Sequence, residues 1–212
     1  KRDGWNPDNP LVHSLVSETT AYAALREKGR SSQEALQELL GDKAFLQQLR
    51  QDKLRLEAGF LAMDPGTAAV RAWVGSRDFA QDAFDHVQQA RRQPGSTFKP
   101  FVYGAALQSG VPADAQRVDQ AVEITLAGGE VWRPSDASPP SGRSMTLADA
   151  LAYSKNTITA QLVQEVGPAK VARLARNLGV RSSPLEAVPA LALGASPVSL
   201  LEMVNAYGSL AR

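Results

Sequence analysis

"RRQPGSTFKPFVYGAAL" (Arg91–Leu107) sets a serine and a lysine three residues apart, just behind a Pro-Gly turn. The turn at Pro94-Gly95 predicts a helix beginning near Ser96, with Pro100 near its first turn, where a missing N–H costs little. Gly110 followed by Pro112 predicts its end. Ser96 and Lys99 then stand at i and i+3, on one helix face. A serine hydroxyl is a poor nucleophile until a base takes its proton. A lysine can be that base when burial and the positive end of a helix disfavour its charged form. The same helix end favours an alkoxide, and its N–H groups can contribute to an oxyanion hole. The bare spacing is common: with 17 serines and 7 lysines, chance supplies about half a Ser-x-x-Lys match. A surface serine beside a surface lysine is the plain alternative.

A second stretch adds weight. In "TLADALAYSKNTITAQL" (Thr146–Leu162), Thr146 and Asp149 have the spacing of a helix cap. Ser154-Lys155-Asn156 falls where that helix meets the next. A bend there would turn the Ser154 hydroxyl and the Asn156 amide into one cleft, the first able to relay a proton and the second to bind a substrate amide. By itself the stretch reads equally as a polar joint between helices.

The rest of the chain narrows the possibilities. Its 212 residues carry a formal net charge of +1, and no cysteine is present. That composition excludes a disulfide scaffold, a thiol nucleophile and cysteine-ligated zinc. Its near-neutral charge gives no reason to expect nucleic acid as a partner. No run approaches the roughly 18 apolar residues of a membrane span. His13 and His86 lie far apart in sequence, so both are read as structural, with no metal and no cofactor expected.

Residues 1–10 read as a loop, and Leu11 to Lys28 as one weak helix ending at Gly29. Ser31 and Glu34 form a capping-box spacing, and Leu36, Leu39, Leu40, Leu46 and Leu49 follow at helical intervals. Gly41 divides that run. Residues 1–58 therefore read as a helical linker or interdomain region, and residues 59–212 as the first part of the domain that holds both motifs. "GFLAMDPGTAAVRAWVG" (Gly59–Gly75) predicts a β-hairpin about Asp64-Pro65-Gly66. "AVEITLAGGEVWRP" (Ala121–Pro134) predicts a second, turning at Gly128-Gly129. A Ser/Pro/Gly-rich loop follows, and then helices over Leu147–Tyr153, Thr157–Val166, Pro168–Leu178 and Pro197–Leu210. The expected class is α/β: mixed α and antiparallel β, an antiparallel sheet with a helical cluster.

These stretches together resemble the transpeptidase domain of penicillin-binding proteins, most like the bifunctional class A enzymes. "RQPGSTFKPFVYGAAL", "MDPGTAAVRAWVGSRDF", "VWRPSDASPPSGRSMTLADALAYSKNT" and "LALGASPVSLLEMVNAY" carry the likeness, which covers Gly59 to Arg212. The resemblance implies the fold shared by D,D-transpeptidases and serine β-lactamases. It implies Ser96 as the acylated nucleophile, Lys99 as its base, Ser154 as a proton shuttle and Asn156 as the ligand of the substrate's peptide amide. Lys155, in the variable middle position, receives no catalytic role. The implied partners are peptidoglycan stem peptides ending in D-Ala-D-Ala, and β-lactams. The implied location is the periplasmic face of a bacterial inner membrane. The implied parent carries an upstream glycosyltransferase domain and a membrane anchor. One departure stands out. The family's third motif, Lys-[Thr/Ser]-Gly, does not occur in this sequence. The chain also begins without Met and ends inside an expected helix, so it is expected to be an incomplete piece of a longer protein, cut before that motif. A serine β-lactamase, a penicillin sensor and a degenerate scaffold domain remain as alternatives.

Overall fold

The computed structural model describes residues 5–80 and 83–212. The loop expected over residues 1–10 has its first four positions outside the described residues. The chain divides between Leu56 and Glu57 into two compact units.

Among its described residues the first unit holds four helices: α1 (Pro10–Ser17), α2 (Thr20–Glu27), α3 (Ser32–Gly41) and α4 (Lys43–Lys53). The single helix expected over Leu11–Lys28 is in fact two. Thr19 takes an extended backbone and its side chain caps α2 by accepting the Tyr22 N–H, which ends α1 one turn early. The Ser31–Glu34 capping box forms in both directions. Past Gly41, the Asp42 side chain caps α4 by accepting from Ala44 and Phe45. Val12, Val16, Leu39, Leu46 and Leu49 are buried together, with Leu36 and Leu40 packed beside them.

The second unit mixes helices with antiparallel ladders. β1 (Phe60–Met63) pairs with β2 (Val70–Val74), Phe60 opposite Val74 and Leu61 opposite Trp73. The Asp64 carboxylate closes the hairpin by accepting the Thr67 N–H and hydroxyl at 2.8 and 2.9 Å. A 3-10 helix, Gly95–Phe98, runs directly into α5 (Lys99–Gln108). Next come β3 (Gln116–Val118), β4 (Ile124–Thr125), β5 (Val131–Trp132) and β6 (Ser144–Thr146). The chain ends in α6 (Leu147–Ala152), α7 (Asn156–Val166), α8 (Pro168–Leu178), a 3-10 helix (Pro189–Leu193) and α9 (Leu200–Ala211).

The mixed α and antiparallel-β class is borne out. The described strands form three separate two-stranded ladders rather than one sheet. The predicted second hairpin is β4–β5. The β3–β6 ladder was not anticipated, because Gln116-Arg117-Val118 shows no apolar alternation and its partner lies beyond an intervening hairpin. Asp119 anchors that ladder: its N–H donates to Arg143 O and its carboxylate accepts the Ser141 N–H, both at 2.9 Å. The last helix begins at Leu200 rather than Pro197, because Ser199 and Glu202 form a capping box.

Helix α5 is buried on most of its surface, as expected of a helix apolar around most of its girth. Phe98, Phe101, Val102 and Ala106 pack in one cluster with Ile158, Leu162 and Val163 of α7 and Val171, Ala172 and Ala175 of α8. This places the start of α5 against the α6–α7 junction.

Candidate active site

Ser96 and Lys99 flank the passage from 3-10 to α-helix. The Lys99 N–H donates to Ser96 O, so a 3-10 turn, not an α-turn, separates the two. At three residues per turn, side chains at i and i+3 lie nearly eclipsed, which puts hydroxyl and amine on one face. Ser96 is exposed, whereas Lys99 is 0% exposed.

Several contacts hold this turn. The Thr97 hydroxyl donates to Pro94 O at 2.7 Å, and the Tyr207 hydroxyl of α9 donates to Thr97 O at 2.7 Å. Arg92 and Val198 exchange two backbone hydrogen bonds of 2.9 Å. Gly194 lies against Gly95 so closely that a Cβ there would sit 2.3 Å from Gly95 O. Its φ of +71° is also left-handed, so two independent constraints require glycine at this position. A cavity of about 630 Å³ opens beside the turn, lined in part by Thr97, Val198, Met203 and Tyr207. None of the four predicted site residues lines it.

The α6–α7 junction supplies the other wall. Helix α6 ends in a Schellman motif: Ser154 N–H donates to Leu151 O and Lys155 N–H to Ala150 O, at 2.9 and 2.8 Å. The motif needs a left-handed residue at Ser154, and Ser154 adopts φ +55° there, where glycine is usual. The bend brings three oxygens onto the Lys99 amine. Lys99 Nζ donates to Ser154 O, to Ser154 Oγ at 3.0 Å and to Asn156 Oδ1 at 2.6 Å. The Asn156 amide is oriented from behind, since its Nδ2 donates to Ser135 O at 2.7 Å. Its backbone N–H donates to Asp136 Oδ1 at 2.9 Å. Lys99 thus gathers Ser154 and Asn156 on its amine, and Ser96 precedes it by one 3-10 turn on the same helical face.

Lys155 points elsewhere. Its ammonium pairs with the fully buried Asp119 carboxylate at 2.9 Å. Asp119 also accepts from the Thr157 hydroxyl at 2.7 Å. Burial works to raise the Asp119 pKa, but the Lys155 ammonium and the donors of Ser141 and Thr157 outweigh it and hold the carboxyl well below the usual range. Asp119, Ser135, Asp136 and Gly194 went unread in the sequence. Each stands in a polar or glycine-containing loop with no periodic pattern, so no local signal could have singled it out.

The electrostatics suit proton transfer. Burial pushes the Lys99 amine below its ordinary pKa, against an upward pull from the Asp136 charge. The Ser154 carbonyl and Asn156 Oδ1 can only accept. A neutral amine satisfies both with its two N–H groups and keeps a lone pair for a hydroxyl. The start of α5 adds positive field at Ser96. An exposed hydroxyl, a buried amine of lowered pKa and a second hydroxyl on that amine can together generate a nucleophile and move its proton onward.

Among the described residues, no group of three or more His, Asp or Glu side chains is placed to hold a metal ion. His13 donates its ring N–H to Pro7 O at 2.6 Å, and His86 packs edge-on to Phe84. No described helix is long and apolar enough to cross a membrane.

A family model described as the penicillin-binding protein transpeptidase domain matches residues 58–212. Over 158 residues the chain is 39% identical to penicillin-binding protein 2D of Bacillus subtilis (strain 168), covering 74% of this chain and 23% of that protein. It is 37% identical to penicillin-binding protein 1A of a serogroup A Neisseria meningitidis, over 74% of this chain and 20% of that one. Among solved structures it resembles penicillin-binding protein 1A from Haemophilus influenzae, with a TM-score of 0.67 and 31% identity over 72% of this chain and 23% of that chain. The chain spans 20–23% of the length of these curated relatives.

Proposed function

The chain belongs to the penicillin-binding protein transpeptidase-domain family, and from that membership we propose that it is a serine D,D-transpeptidase domain acting through an ester on Ser96. The observation that carries the reading is the bonding of Lys99 Nζ to both Ser154 Oγ and Asn156 Oδ1 across 55 and 57 residues of sequence. A solvated lysine on a surface would have no reason to be fully buried against a helix junction.

In this reading Ser96 Oγ attacks the carbonyl carbon of the D-Ala-D-Ala bond while Lys99 Nζ takes the hydroxyl proton. The tetrahedral intermediate collapses by breaking the C–N bond. Ser154 passes a proton, returned from Lys99, to the departing amine, and D-Ala leaves. Asn156 orients the stem peptide's amide. An amine of a second stem peptide then attacks the Ser96 ester, forming the cross-link and restoring the hydroxyl. A β-lactam follows the same first step, but its leaving amine stays tethered, and the ester persists.

The likeness to class A enzymes extends the proposal to an extracytoplasmic protein whose parent also carries a peptidoglycan glycosyltransferase and a membrane anchor. The four-helix unit before Leu56 would join the two activities. The relatives favour this reading over the β-lactamase, sensor and scaffold alternatives.

Incubation of the full-length protein with a fluorescent penicillin, followed by mass spectrometry, tests it. One adduct per chain is expected on the peptide holding Ser96, with none on Ser96→Ala. Lys99→Ala should slow labelling by at least about 100-fold, the lower range for loss of a general base. Unlabelled wild-type protein, or labelling that survives Ser96→Ala, refutes the proposal.

A further inference from the structure

The segment Ser135-Asp136 grips Asn156 at two points: the Ser135 carbonyl holds its side-chain amide and Asp136 Oδ1 holds its backbone N–H. The second oxygen of Asp136, Oδ2, is buried and has no hydrogen-bond partner among the described residues. A carboxylate oxygen in that condition is costly unless a positive charge lies within reach. Two amines are available. Lys155 is already paired with Asp119. Among the described residues Lys99 bonds only to neutral oxygens, so its charge has no direct partner there.

We propose that Asp136 is a positioning residue for the proposed acyl transfer, holding Asn156 in place while supplying the unpaired negative charge that balances the Lys99 ammonium. The proposal rests on the acyl-enzyme reading above for its consequence, and on the Asp136 contacts for its geometry. Without that charge, burial alone would make the amine a weak base. With it, Lys99 keeps enough proton affinity to take the Ser96 proton, yet sheds that proton more readily than an exposed lysine. The other titratable groups nearby are accounted for. Tyr103 is buried, hydrogen-bonded to Thr159 and kept neutral by burial, with the Asp136 charge acting in the same direction. Lys155 is held protonated, first by its bond to Asp119 and less by Asp136. Asp119 is held ionised by Lys155 and its donors.

Asp136→Asn separates the two roles, since its amide oxygen can still accept the Asn156 N–H while the charge is gone. The protein contains 7 lysines, few enough for isotope-labelled lysine NMR to follow the side-chain signal of Lys99 through a pH titration. Removing a negative neighbour must move the Lys99 midpoint to lower pH. The acidic limb of the penicillin acylation rate should move the same way, with a lower plateau because the base is weaker. Asp136→Glu, which restores the charge, should return the midpoint towards that of wild type. A purely structural role would lower the plateau and leave both the midpoint and the limb in place, and that result overturns the proposal. If Asp136→Asn does not fold, Asp136→Ser serves in the same comparison. Absence of a Ser96 ester in the wild type would refute acyl transfer but not the titration, whereas an unmoved Lys99 midpoint would refute the role of Asp136 and leave acylation standing.

Discussion

Ser154 holds a backbone conformation that glycine would hold at less cost, and replacing it tests why a serine is there. Its φ is +55°, at the left-handed position of the motif that ends α6. A residue with a Cβ costs about 1–2 kcal/mol in that region. Glycine avoids the clash but loses about 0.5–1 kcal/mol more to unfolded-state entropy. Ser154→Ala and Ser154→Gly both remove the hydroxyl and its 3.0 Å bond to Lys99, so that loss cancels between them. What remains is the backbone difference, which favours glycine by about 0.5–1 kcal/mol. For a chain of this size that is about 2–4 °C in Tm per kcal/mol. Thermal unfolding followed by circular dichroism should therefore show Ser154→Gly melting above Ser154→Ala by about 1–4 °C. Both should acylate with penicillin at least about 100-fold more slowly than wild type. Such an outcome marks a residue kept for its hydroxyl at the expense of stability. If alanine melts at or above glycine, the strain argument fails. If glycine acylates at the wild-type rate, the relay role of Ser154 fails.

Gly194→Ala should push the Ser96 turn outward, because the new Cβ meets Gly95 backbone atoms at 2.3–2.8 Å and φ is +71°. A stability loss of about 3 kcal/mol and slower acylation are expected, from overpacking and left-handed strain together. Gly129→Ala is the control: φ is +84° but nothing lies within 4 Å, so a loss of only about 1 kcal/mol and unchanged acylation should result. Glu202 makes stability depend on acid. Its buried carboxylate accepts from the Ser182 N–H at 2.6 Å, from the Ser183 N–H and hydroxyl, and from Ser199. Burial opposes ionisation, but these donors prevail and lower the pKa from 4.5 to about 2. A depressed folded-state pKa stabilises the fold above the unfolded value, and the gain disappears as pH falls from about 4.5 to about 2. Denaturant titrations should show wild type losing about 3 kcal/mol more than Glu202→Gln across that window, since Asp119 and the other carboxylates titrate in both proteins. Parallel pH curves for the two proteins would refute the assignment.

Much of the fold was legible because its signals are local. Asp64-Pro65-Gly66 and Gly128-Gly129 marked two hairpins, and Ser31–Glu34 marked a helix start. The same kind of signal, Ser199–Glu202, starts the last helix at Leu200, three residues after the Pro197 that the apolar pattern suggests. The split at Thr19 was missed because a mid-helix threonine and a capping threonine look alike until the backbone direction is known. The β3–β6 ladder stayed hidden because three short polar-leaning residues acquire a partner only through the long-range anchor of Asp119.

By itself the sequence determined the residue types and the spacing: a hydroxyl and an amine one turn apart, and a second hydroxyl and amide at a helix junction. Those are properties of neighbours along the chain, where a few covalent bonds limit the geometry. Only the tertiary structure decided that Lys99 is buried, that it bonds to Ser154 and Asn156, and that Asp136 holds the Asn156 backbone while Asp119 takes Lys155. Burial and charge pairing depend on which distant segments exclude water from a group, and no local pattern encodes that.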